Sequence, residues 1–542
     1  MRRFFGANRA DEDLARQSRT GGAISVVARA INGVIQIGSA LVLARFLTPE
    51  DYGLVAMVTA VVGFAPVLSD LGTRDAVVQK DHLTSGEVST LFWLTAVVGC
   101  SLALLTAASG PFIASFYGDP RLSKIALAAS LTFISAALLS QPQALLRRAS
   151  LFRELAIIDI VANVCSVSGA IAMAASGFGY WALVMRPVSL MFFVAVGTWG
   201  VCRWLPGRPA LAPGVMPMVK MGLNLSGFSA TDFVGRNGDR VAIGRGLGAQ
   251  TLGYYQNAMF VYDNLLEVMV WPLHQVAVTS LSKLRHDLSA LRRSWAKALS
   301  TVAFYTMPVF GIVAITGQDM IVVLLGKKWA HAGALLSVLA LRGIPHSVER
   351  TLGWLHMAAG RSDRWFRWGI LSTVIQLLAL LCGLPFGPFG VVSAYVIVMY
   401  ILFVPTLAYA GRPLGLGWRD VIGAVGIQLV GALGTAGLGF VLRFSLLAGV
   451  PPIERIFVLV TVYVTVYLVL VVGLAKLRTP VDVFFSVVRD LVPFSLQLMV
   501  AYRVAGASPS IPPGRFDGLP HSGLPIRFRW AVRPKPRKPT GR

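Results

Sequence analysis

Charged residues are scarce in this chain. Asp, Glu, Lys and Arg together make up 14% of its 542 residues, while 55% are hydrophobic and the mean hydropathy is +0.67. Soluble globular domains carry roughly 25% charged residues. A soluble chain does not need so much apolar surface to fill its cores. The composition therefore excludes an ordinary soluble domain and indicates that much of the apolar surface faces lipid.

Cysteine is also rare, and its positions exclude two kinds of site. The four cysteines, without CxxC or another metal-ligand spacing, are Cys100, Cys165, Cys202 and Cys382. Each lies within or at the end of an apolar stretch. The sequence predicts neither disulfides nor a metal site, and we expect no cofactor.

Acidic residues are few: the chain has 25 Asp and Glu but 49 Lys and Arg, which gives a net charge of +24. Such an excess can indicate nucleic-acid binding, but here the basic residues fall mainly in short gaps between apolar stretches. With the N-terminus in the cytoplasm, 23 Lys and Arg before the C-terminal tail lie on the cytoplasmic side and nine on the outer side. This bias follows the positive-inside rule and predicts two cytoplasmic termini and no nucleic-acid partner.

Long apolar stretches fill most of the chain. A hydrocarbon core about 30 Å thick requires roughly 20 apolar residues per helix. The stretches that are long enough are 22–45, 52–71, 88–109, 122–145, 156–176, 179–202, 217–237, 254–280, 298–317, 331–358, 367–386, 388–410, 418–441 and 455–475. We expect an all-α polytopic membrane protein with about 14 transmembrane helices.

A short motif occurs twice. Arg45-x-Leu47-x5-Gly53 recurs as Arg245-x-Leu247-x5-Gly253, 200 residues later, and each copy links an odd helix to the next even one. Six helices restore the starting direction, so helices one to six and seven to twelve could be parallel repeats. A central cleft between two six-helix lobes would follow.

The expected domains follow from this repeat. They are a cytoplasmic segment (1–21), an N-lobe of helices one to six (22–202), a cytoplasmic linker (203–216), a C-lobe of helices seven to twelve (217–410) and two further helices (411–475).

The character of the chain changes after these helices. Residues 481–502 are apolar but interrupted by Arg489, Asp490 and Pro493, so we expect an interfacial helix over 476–502, with a fifteenth span as the alternative. Residues 503–542 are basic and rich in proline, which predicts a disordered cytoplasmic tail. Such a tail would attract anionic headgroups or an acidic partner, or would simply be solvated.

Ionisable and amide residues within the apolar stretches are the candidate functional residues. Inserting an ionisable side chain at the centre of a transmembrane helix costs about 2.5 to 3.5 kcal/mol. These side chains should therefore face protein or water. The basic and amide candidates are Arg29, Asn32, Gln36, Arg236, Arg342 and Arg350; the others are Asp159, Asp232, Asp263, Glu267, His346 and Glu349. Several share a helix face, for example Arg29, Asn32 and Gln36.

Two interpretations of these residues compete. Asp232 could pair with Arg236, and Glu349 with Arg342 or Arg350, merely to neutralise charge between helices. Alternatively, the residues line a hydrated cavity, which the concentration of polar stripes on helices one, seven, eight and ten favours. Repulsion between Asp263 and Glu267, one turn apart, would then favour a bound cation or a shared proton.

Local sequence signatures add a resemblance. Ala44-Arg-Phe-Leu-Thr-Pro-Glu-Asp-Tyr-Gly53, Leu68-Ser-Asp-Leu-Gly72 and Ala76-Val-Val-Gln79 resemble the N-terminal half of Wzx-type lipopolysaccharide and exopolysaccharide flippases. The stretch from Asn237 to Tyr255 and Leu324-Leu-Gly-Lys-Lys-Trp329 look like later signatures of the same family. The resemblance spans about residues 20–475 and implies the multidrug/oligosaccharidyl-lipid/polysaccharide exporter fold.

The resemblance also implies an activity. Wzx-type proteins flip undecaprenyl-pyrophosphate-linked oligosaccharide repeat units across the bacterial inner membrane, so we expect a transporter rather than an enzyme. Its partners would be that substrate, membrane lipids, and a polysaccharide polymerase with its chain-length regulator. Arg29, Asn32, Gln36, Arg236, Arg342 and Arg350 would then contact the pyrophosphate or the sugars. The acidic candidates and His346 would couple ions or gate the cleft.

Three other functions remain open. A multidrug exporter of the same superfamily would more naturally have an acidic cavity, and a peptidoglycan-precursor flippase would resemble this chain in charge and helix count. A membrane glycosyltransferase or polymerase would need a catalytic acid in a sizeable loop or a carboxylate metal motif. The predicted loops between helices are too short to favour this last class.

Overall fold

The computed structural model of the chain describes residues 11–63, 73–80, 83–208, 215–282, 287–358, 362–412, 415 and 417–474. Within these ranges all regular secondary structure is helical. The expected interfacial helix (476–502) and basic tail (503–542) lie outside the described residues, and both stay predictions.

Several helices extend beyond the apolar stretches that predicted them. In chain order they are α1 (Asp11–Phe46), α2 (Pro49–Val62), α3 (Thr73–Gln79), α4 (Ser85–Tyr117), α5 (Arg121–Arg148), α6 (Phe152–Ala175), α7 (Trp181–Cys202), α8 (Val215–Ser282), α9 (Leu288–Leu325), α10 (Ala330–Ala358), α11 (Ser362–Gly383), α12 (Gly387–Gly411), α13 (Trp418–Phe444) and α14 (Pro452–Leu468), which continues as a π-helix over Val469–Leu474. The predicted stretch 88–109, for example, lies well inside α4. Helices continue into the membrane–water interface because their backbone groups stay hydrogen-bonded within the helix there, while polar side chains reach water.

Large apolar side chains point away from the protein along these helices. Val34 is 72% exposed, Leu104 71% and Phe112 79%. Such exposure is favourable only against lipid. Among the described residues, nine helical stretches are long and apolar enough to cross a bilayer. The chain is a multi-pass membrane protein, and the expected number of 14 spans stays a prediction.

Local sequence sets where several helices begin. Thr48 and Asp51 form a capping box at the start of α2, in which the Thr48 backbone N–H donates to Asp51 Oδ2 at 2.8 Å. Thr84 and Glu87 form the same motif at the start of α4. These boxes satisfy backbone N–H groups that have no partner within the helix.

Arg121 joins two helices of the N-terminal half at the end where α5 begins. Its Nη2 lies 2.6 Å from Glu50 Oε1 in α2 and 2.7 Å from Asp119 Oδ2 in the preceding turn. Hydrogen bonds from the Arg121 guanidinium hold the pKa of the Asp119 carboxyl below its usual range.

The sharpest change of chain direction lies within α8. Gly248 interrupts the helical backbone with φ 82° and ψ 174°. A straight helix would place residues 16 apart about 24 Å from each other, yet the Tyr255 hydroxyl donates to Asp239 Oδ2 at 2.7 Å. The chain therefore folds back at Gly248 into two segments, 215–247 and 249–282. The predicted stretches 217–237 and 254–280 are therefore joined by helix on both sides of this glycine and not by a separate loop.

Packing separates two lobes and a further pair of helices. In the N-terminal lobe, α1 packs on α6, α4 on α5 and α6 on α7. In the C-terminal lobe, α10 packs on α8, α9 and α12, and α11 packs on α12. The pair α13 and α14 packs against α9. This is the expected arrangement of two lobes with two additional helices, although the exact domain limits stay a prediction.

Asp319 in α9 attaches the additional pair to the C-terminal lobe. Its Oδ2 lies 2.8 Å from Arg443 Nη1 in α13, and its Oδ1 lies 3.3 Å from Arg455 Nη1 in α14. The Asp319 and Arg443 side chains are buried, so this pair is shielded from solvent. Gln428 adds a hydrogen bond of 2.8 Å from α13 to Ser300. These contacts anchor the additional pair of helices to α9 of the C-terminal lobe.

The two copies of the repeated motif contact each other between the lobes. A Cβ atom added to Gly53 in α2 would overlap the carbonyl oxygen of Ala249 in α8, and one added to Gly253 would overlap that of Pro49. Because 49 and 249, like 53 and 253, are equivalent positions of the repeat, the contact is reciprocal. We call this contact the glycine crossing, and the end of the molecule that carries it the crossing end.

Candidate substrate site

Arg342 is the most deeply buried of the predicted arginines whose side chains the structure describes. It lies in the middle of α10 and is 7% exposed. Its guanidinium carbon lies 4.2 Å from the ring centroid of Tyr395 in α12 and 5.6 Å from that of Tyr262 in α8. Cation–π attraction strengthens when the partners are desolvated. Two aromatic rings from neighbouring helices therefore hold this arginine inside the C-terminal lobe.

Tyr262 links Arg342 to a histidine. Its hydroxyl lies 2.7 Å from His346 Nδ1, and the two rings stack with centroids 6.1 Å apart. His346 lies one helical turn beyond Arg342 on α10, so both side chains reach the same tyrosine. His346, which was predicted to couple ions or gate the cleft, therefore lies within hydrogen-bond distance of the Tyr262 hydroxyl.

Tyr255 and Asp239 form a second buried pair beside the first. Tyr255 is 2% exposed and Asp239 5%, and the hydroxyl donates to the carboxylate at 2.7 Å. Both groups lie within electrostatic range of Arg342. We call Tyr255, Tyr262, Arg342, His346 and Tyr395 the arginine–tyrosine cluster.

Carboxylates surround Arg342 without closing an ion pair on it. Asp239, Asp263 and Glu349 all lie within its electrostatic range. Across the part of the chain that the structure describes, no carboxylate oxygen lies within 4.0 Å of its guanidinium, and its Nε is buried without a hydrogen-bond partner. A buried guanidinium with unused donors favours an anionic ligand that can accept them.

The cluster continues to an accessible surface. Asp263, Glu267 and Arg350 are exposed, and Glu349 is half-buried. Asp263 lies within electrostatic range of Arg342 and Arg350 as well as Arg240. The expected Asp263–Glu267 cation or proton site therefore has arginines close to one of its carboxylates, which weakens cation binding there.

Metal ligation is not supported by the described side chains. Where the structure describes the chain, no three His, Cys, Asp or Glu side chains come together as a metal site. The buried atoms of the arginine–tyrosine cluster are hydroxyl, imidazole and guanidinium groups, and guanidinium is a donor that metals do not use. This chemistry suits phosphate and hydroxyl groups.

The polar face of α1 forms a smaller group in the N-terminal lobe. Asn163 Nδ2 in α6 donates to Asn32 Oδ1 at 2.8 Å, which joins the two helices. Arg29 and Gln36, predicted to share a face with Asn32, are exposed. The N-terminal lobe thus has two amides in contact and an exposed arginine on the same helix.

Asp159 stands apart from both groups. It is exposed on α6, and the nearest charge acting on it is that of Arg147 at the end of α5. The side chains of Asp232 and Arg236 lie outside the described residues, so the roles expected for them stay predictions.

Sequence reasoning missed the three tyrosines of the cluster. Tyr255 and Tyr262 are seven residues apart, a spacing that puts both on one face of a helix. That spacing beside Asp263 was a usable signal. Tyr395 lies on a different helix, and nothing in the local sequence indicated that its ring would cover Arg342.

Comparison with known proteins gives consistent relatives. A sequence profile described as polysaccharide biosynthesis protein matches residues 42–334. The teichuronic acid biosynthesis protein TuaB of Bacillus subtilis (strain 168) is 28% identical over 377 residues, which cover 68% of this chain and 77% of TuaB. The lipopolysaccharide biosynthesis protein WzxC of Escherichia coli (strain K12) is 24% identical, with 72% and 82% covered. The succinoglycan biosynthesis transport protein ExoT of Rhizobium meliloti (strain 1021) is 25% identical, with 63% and 69% covered.

Solved structures show the same fold. The lipid II flippase MurJ in an inward closed conformation superposes with a TM-score of 0.61 at 13% identity, covering 84% of this chain and 99% of that one. An inward-facing multidrug resistance transporter of the MATE family gives 0.55 at 12% identity, covering 71% and 94%. These likenesses confirm the expected all-α polytopic fold class.

Proposed function

The chain belongs to the polysaccharide biosynthesis protein family, whose profile covers more than half of it, and from this premise we propose that it flips lipid-linked oligosaccharide repeat units across the bacterial inner membrane. The proposed substrate is an oligosaccharide on undecaprenyl pyrophosphate, moved from the cytoplasmic to the periplasmic leaflet. Its product would supply the synthesis of an extracellular polysaccharide or lipopolysaccharide. The names of TuaB, WzxC and ExoT support the pathway, since each refers to the biosynthesis of such a polymer.

The observation that supports this proposal most directly is the environment of Arg342. It is a buried cation between the rings of Tyr262 and Tyr395, without a carboxylate at ion-pair distance among the described residues. A pyrophosphate brings several negatively charged oxygens and needs charge-assisted hydrogen bonds as it leaves water. A guanidinium whose orientation is fixed by two rings supplies them with little loss of side-chain entropy.

Transport would proceed by alternating access. The saccharide and pyrophosphate cross between the lobes while the prenyl chain stays in lipid. Arg29, Arg236, Arg342 and Arg350, with Asn32 and Gln36, bind the polar head group. The groups that couple ions or gate the cleft are Asp159, Asp232, Asp263, Glu267, His346 and Glu349. Exchange of contacts among these groups biases the equilibrium between the open states.

The proposal includes a location and partners. The chain spans the inner membrane with both termini in the cytoplasm, and it hands its product to a polysaccharide polymerase with a chain-length regulator. A single cysteine in place of Asp119, in a chain whose four native cysteines are replaced, should react with a membrane-impermeant maleimide added outside intact spheroplasts. Labelling only after permeabilisation would reverse the orientation.

A deletion strain tests the function. Deleting the gene should leave lipid-linked repeat units on the cytoplasmic leaflet, where an added glycosidase or oxidant cannot reach them from outside. Wild-type protein and Lys124→Gln, which removes an exposed cation of α5, should restore their export. Arg342→Gln should not, although the variant remains in the membrane. Full export by Arg342→Gln would refute the role of this buried cation.

The same strains separate the alternatives. A peptidoglycan-precursor flippase would rescue cells that lack their lipid II flippase, and a multidrug exporter would lower the accumulation of cationic dyes. A glycosyltransferase or polymerase would alter the sugar content or length of the lipid-linked material instead of its leaflet. We expect none of these three results.

A further inference from the structure

A cavity opens at the crossing end of the C-terminal lobe, apart from the arginine–tyrosine cluster. Its volume is about 250 Å³, and it lies where three helical segments begin: the second segment of α8, α10 and α12. Its walls include Gln250, Thr251, Tyr254, His331, Leu335 and Phe389. We call it the crossing-end pocket. Gln250, His331 and Phe389 are exposed, so the pocket opens to the surroundings of the protein.

Two consecutive tyrosines separate this pocket from the cluster. Adjacent residues of a helix point about 100° apart around its axis. Tyr255 is 2% exposed and donates to Asp239, whereas Tyr254 is half-buried and lines the pocket. The crossing-end pocket therefore lies on a different side of the same helix, and its chemistry has to be considered separately.

No permanent charge lines the pocket. Among the described residues of its walls, none is Asp, Glu, Lys or Arg. Lys328, just before α10, is engaged elsewhere, since its Nζ donates to the carbonyl oxygens of Arg45 at 2.9 Å and Leu47 at 2.7 Å. Arg45 in turn donates from Nη2 to the carbonyl oxygen of Leu324 at 3.2 Å, at the end of α9. A phosphate or carboxylate needs charge-assisted hydrogen bonds, so the pocket favours an uncharged ligand.

The polar groups of the pocket have unused hydrogen-bonding capacity. Gln250 Nε2 donates to the Tyr254 hydroxyl at 3.4 Å, which is a long bond. Across the part of the chain that the structure describes, the side chains of Thr251 and His331 have no hydrogen-bond partner in the protein. Hydroxyl, amide and neutral imidazole groups can each donate and accept. A ligand that also does both would match them.

Aromatic rings provide the other half of the surface. The ring of Tyr254 lies 5.4 Å from that of His331 and edge-on to Trp329 at 6.2 Å. Trp329 is buried, and its indole Nε1 donates to the carbonyl oxygen of Ala44 at 2.8 Å, so it supports Tyr254 from below. Phe389 adds a ring that is 43% exposed. Such rings cover the apolar faces of a ligand while polar neighbours bind its edge.

These features match a neutral sugar. A pyranose ring has hydroxyl groups around its rim and C–H groups on its faces, so it uses hydrogen bonds and aromatic contacts together. Pockets for drug-sized ligands measure roughly 300 to 1,000 Å³, and a cavity of about 250 Å³ suits one sugar ring and not a whole repeat unit. We propose that the crossing-end pocket binds one neutral sugar residue of a saccharide at this face of the protein.

The source of the saccharide follows from the proposed function, and this part of the inference rests on it. Arg121 links Asp119 to Glu50 of α2, so Asp119 lies at the crossing end. In the proposed orientation that end faces the periplasm. The ligand is then a saccharide that has already crossed, either the flipped repeat unit or the polymer made from it. Both present the same hydroxyl chemistry to the pocket.

Binding of free sugars to the purified protein tests the pocket. The full chain is placed in lipid nanodiscs, and methyl glycosides of glucose, galactose, N-acetylglucosamine and rhamnose are added one at a time. Saturation-transfer NMR should detect at least one of them above empty nanodiscs. Phe389→Ala, which removes an exposed ring of the pocket, should weaken binding at least about fivefold. Tyr254→Phe, which keeps the ring and removes one hydroxyl, should weaken it roughly 2- to 12-fold.

Phe386→Ala is the matched control. Phe386 is 79% exposed, three residues before Phe389, and does not line the pocket. This variant should bind like the parent, and thermal unfolding checks that all variants fold; if Phe389→Ala does not, Tyr254→Phe decides. The proposal is overturned if no sugar binds, if both pocket variants bind normally, or if Phe386→Ala loses binding equally. Binding of glycerophosphoethanolamine in place of the sugars would also overturn it, in favour of a lipid headgroup site.

The deletion strain separates the two sources. If the pocket receives the flipped repeat unit, Phe389→Ala should lower export per copy of protein at least about twofold. If it holds the polymer, export should stay at the parent value while the length of the polymer changes. Parent values for both would overturn the proposal even when free sugars bind. Arg342→Gln tests the proposed function separately and should bind free sugars normally, so either idea can fail alone.

Discussion

The two lobes differ in how they hold particular charged residues. The C-terminal lobe buries Arg342 and Asp319, which are 7% and 5% exposed, whereas the N-terminal lobe leaves Arg29 and Asp159 exposed. A buried charge must receive its partners from the chain itself, while an exposed one can use water or lipid headgroups. The difference indicates that the C-terminal lobe holds the organised binding chemistry and that the N-terminal lobe offers a more open polar face.

The largest expected effect is on stability. It tests whether a buried and an exposed carboxylate contribute differently to the free energy of unfolding. Asp319→Asn leaves Arg443 and Arg455 without their carboxylate, and breaking a buried pair costs roughly 3 to 5 kcal/mol. Asp159→Asn, at an exposed position, should cost less than about 1 kcal/mol. Thermal unfolding in detergent, followed by tryptophan fluorescence, should separate the two variants by several degrees. Equal midpoints would remove the contrast between the lobes.

The next effect concerns transport. Arg342→Gln removes charge-assisted hydrogen bonds worth about 1.5 to 3 kcal/mol, which corresponds to roughly 12- to 140-fold slower flipping. Arg29→Gln should slow it less than about fivefold, because an exposed cation is partly replaced by water. Export of lipid-linked repeat units per copy of membrane protein measures both. A larger loss in Arg29→Gln would place the decisive cation in the N-terminal lobe.

A smaller effect is expected within the arginine–tyrosine cluster, where it tests whether the contact between Tyr262 and His346 matters for transport. Tyr262→Phe keeps the ring beside Arg342 but removes the hydroxyl that contacts His346. The loss of one hydrogen bond, about 0.5 to 1.5 kcal/mol, should slow flipping by roughly 2- to 12-fold. Tyr395→Phe also keeps its ring and serves as the comparison, with a smaller expected loss. The reverse order would show that the contact with His346 is unimportant for transport.

The smallest effect is expected in the N-terminal lobe. Asn32→Ala removes its hydrogen bond to Asn163 between α1 and α6. This is one hydrogen bond between two half-buried neutral amides, which contributes little to the recognition of a charged head group, so we expect a change in flipping of about twofold or less. Loss of transport comparable to that of Arg342→Gln would mean that the amide pair, and not the buried arginine, recognises the head group.

Much of the fold could be predicted because lipid imposes a simple rule on sequence. A spanning segment must be helical and about 20 residues long, and apolar stretches such as 88–109 and 298–317 therefore located α4 and α9. The rule says little about turns. Hydrophobicity did not indicate where the chain turns between the stretches 217–237 and 254–280, and the turn lies at Gly248, where φ is positive.

The candidate site was only partly predictable. Arg342 was found because a charge in an apolar stretch is costly and therefore conspicuous. Tyr262 and Tyr395 were not found, since aromatic residues are common in membrane helices and carry no comparable signal. The repeat located Gly53 and Gly253 in the sequence, but their spacing could not reveal that they contact each other.

By itself the sequence determined that this is a multi-pass helical membrane protein, where most helices lie and which charges they carry, because hydrophobicity and backbone hydrogen bonding act within each segment. Only the tertiary structure decided which of these charges became buried and which helices cap one another. Such contacts join residues hundreds of positions apart, as Arg45 and Leu324 do. They depend on the packing of whole helices, which no local pattern records.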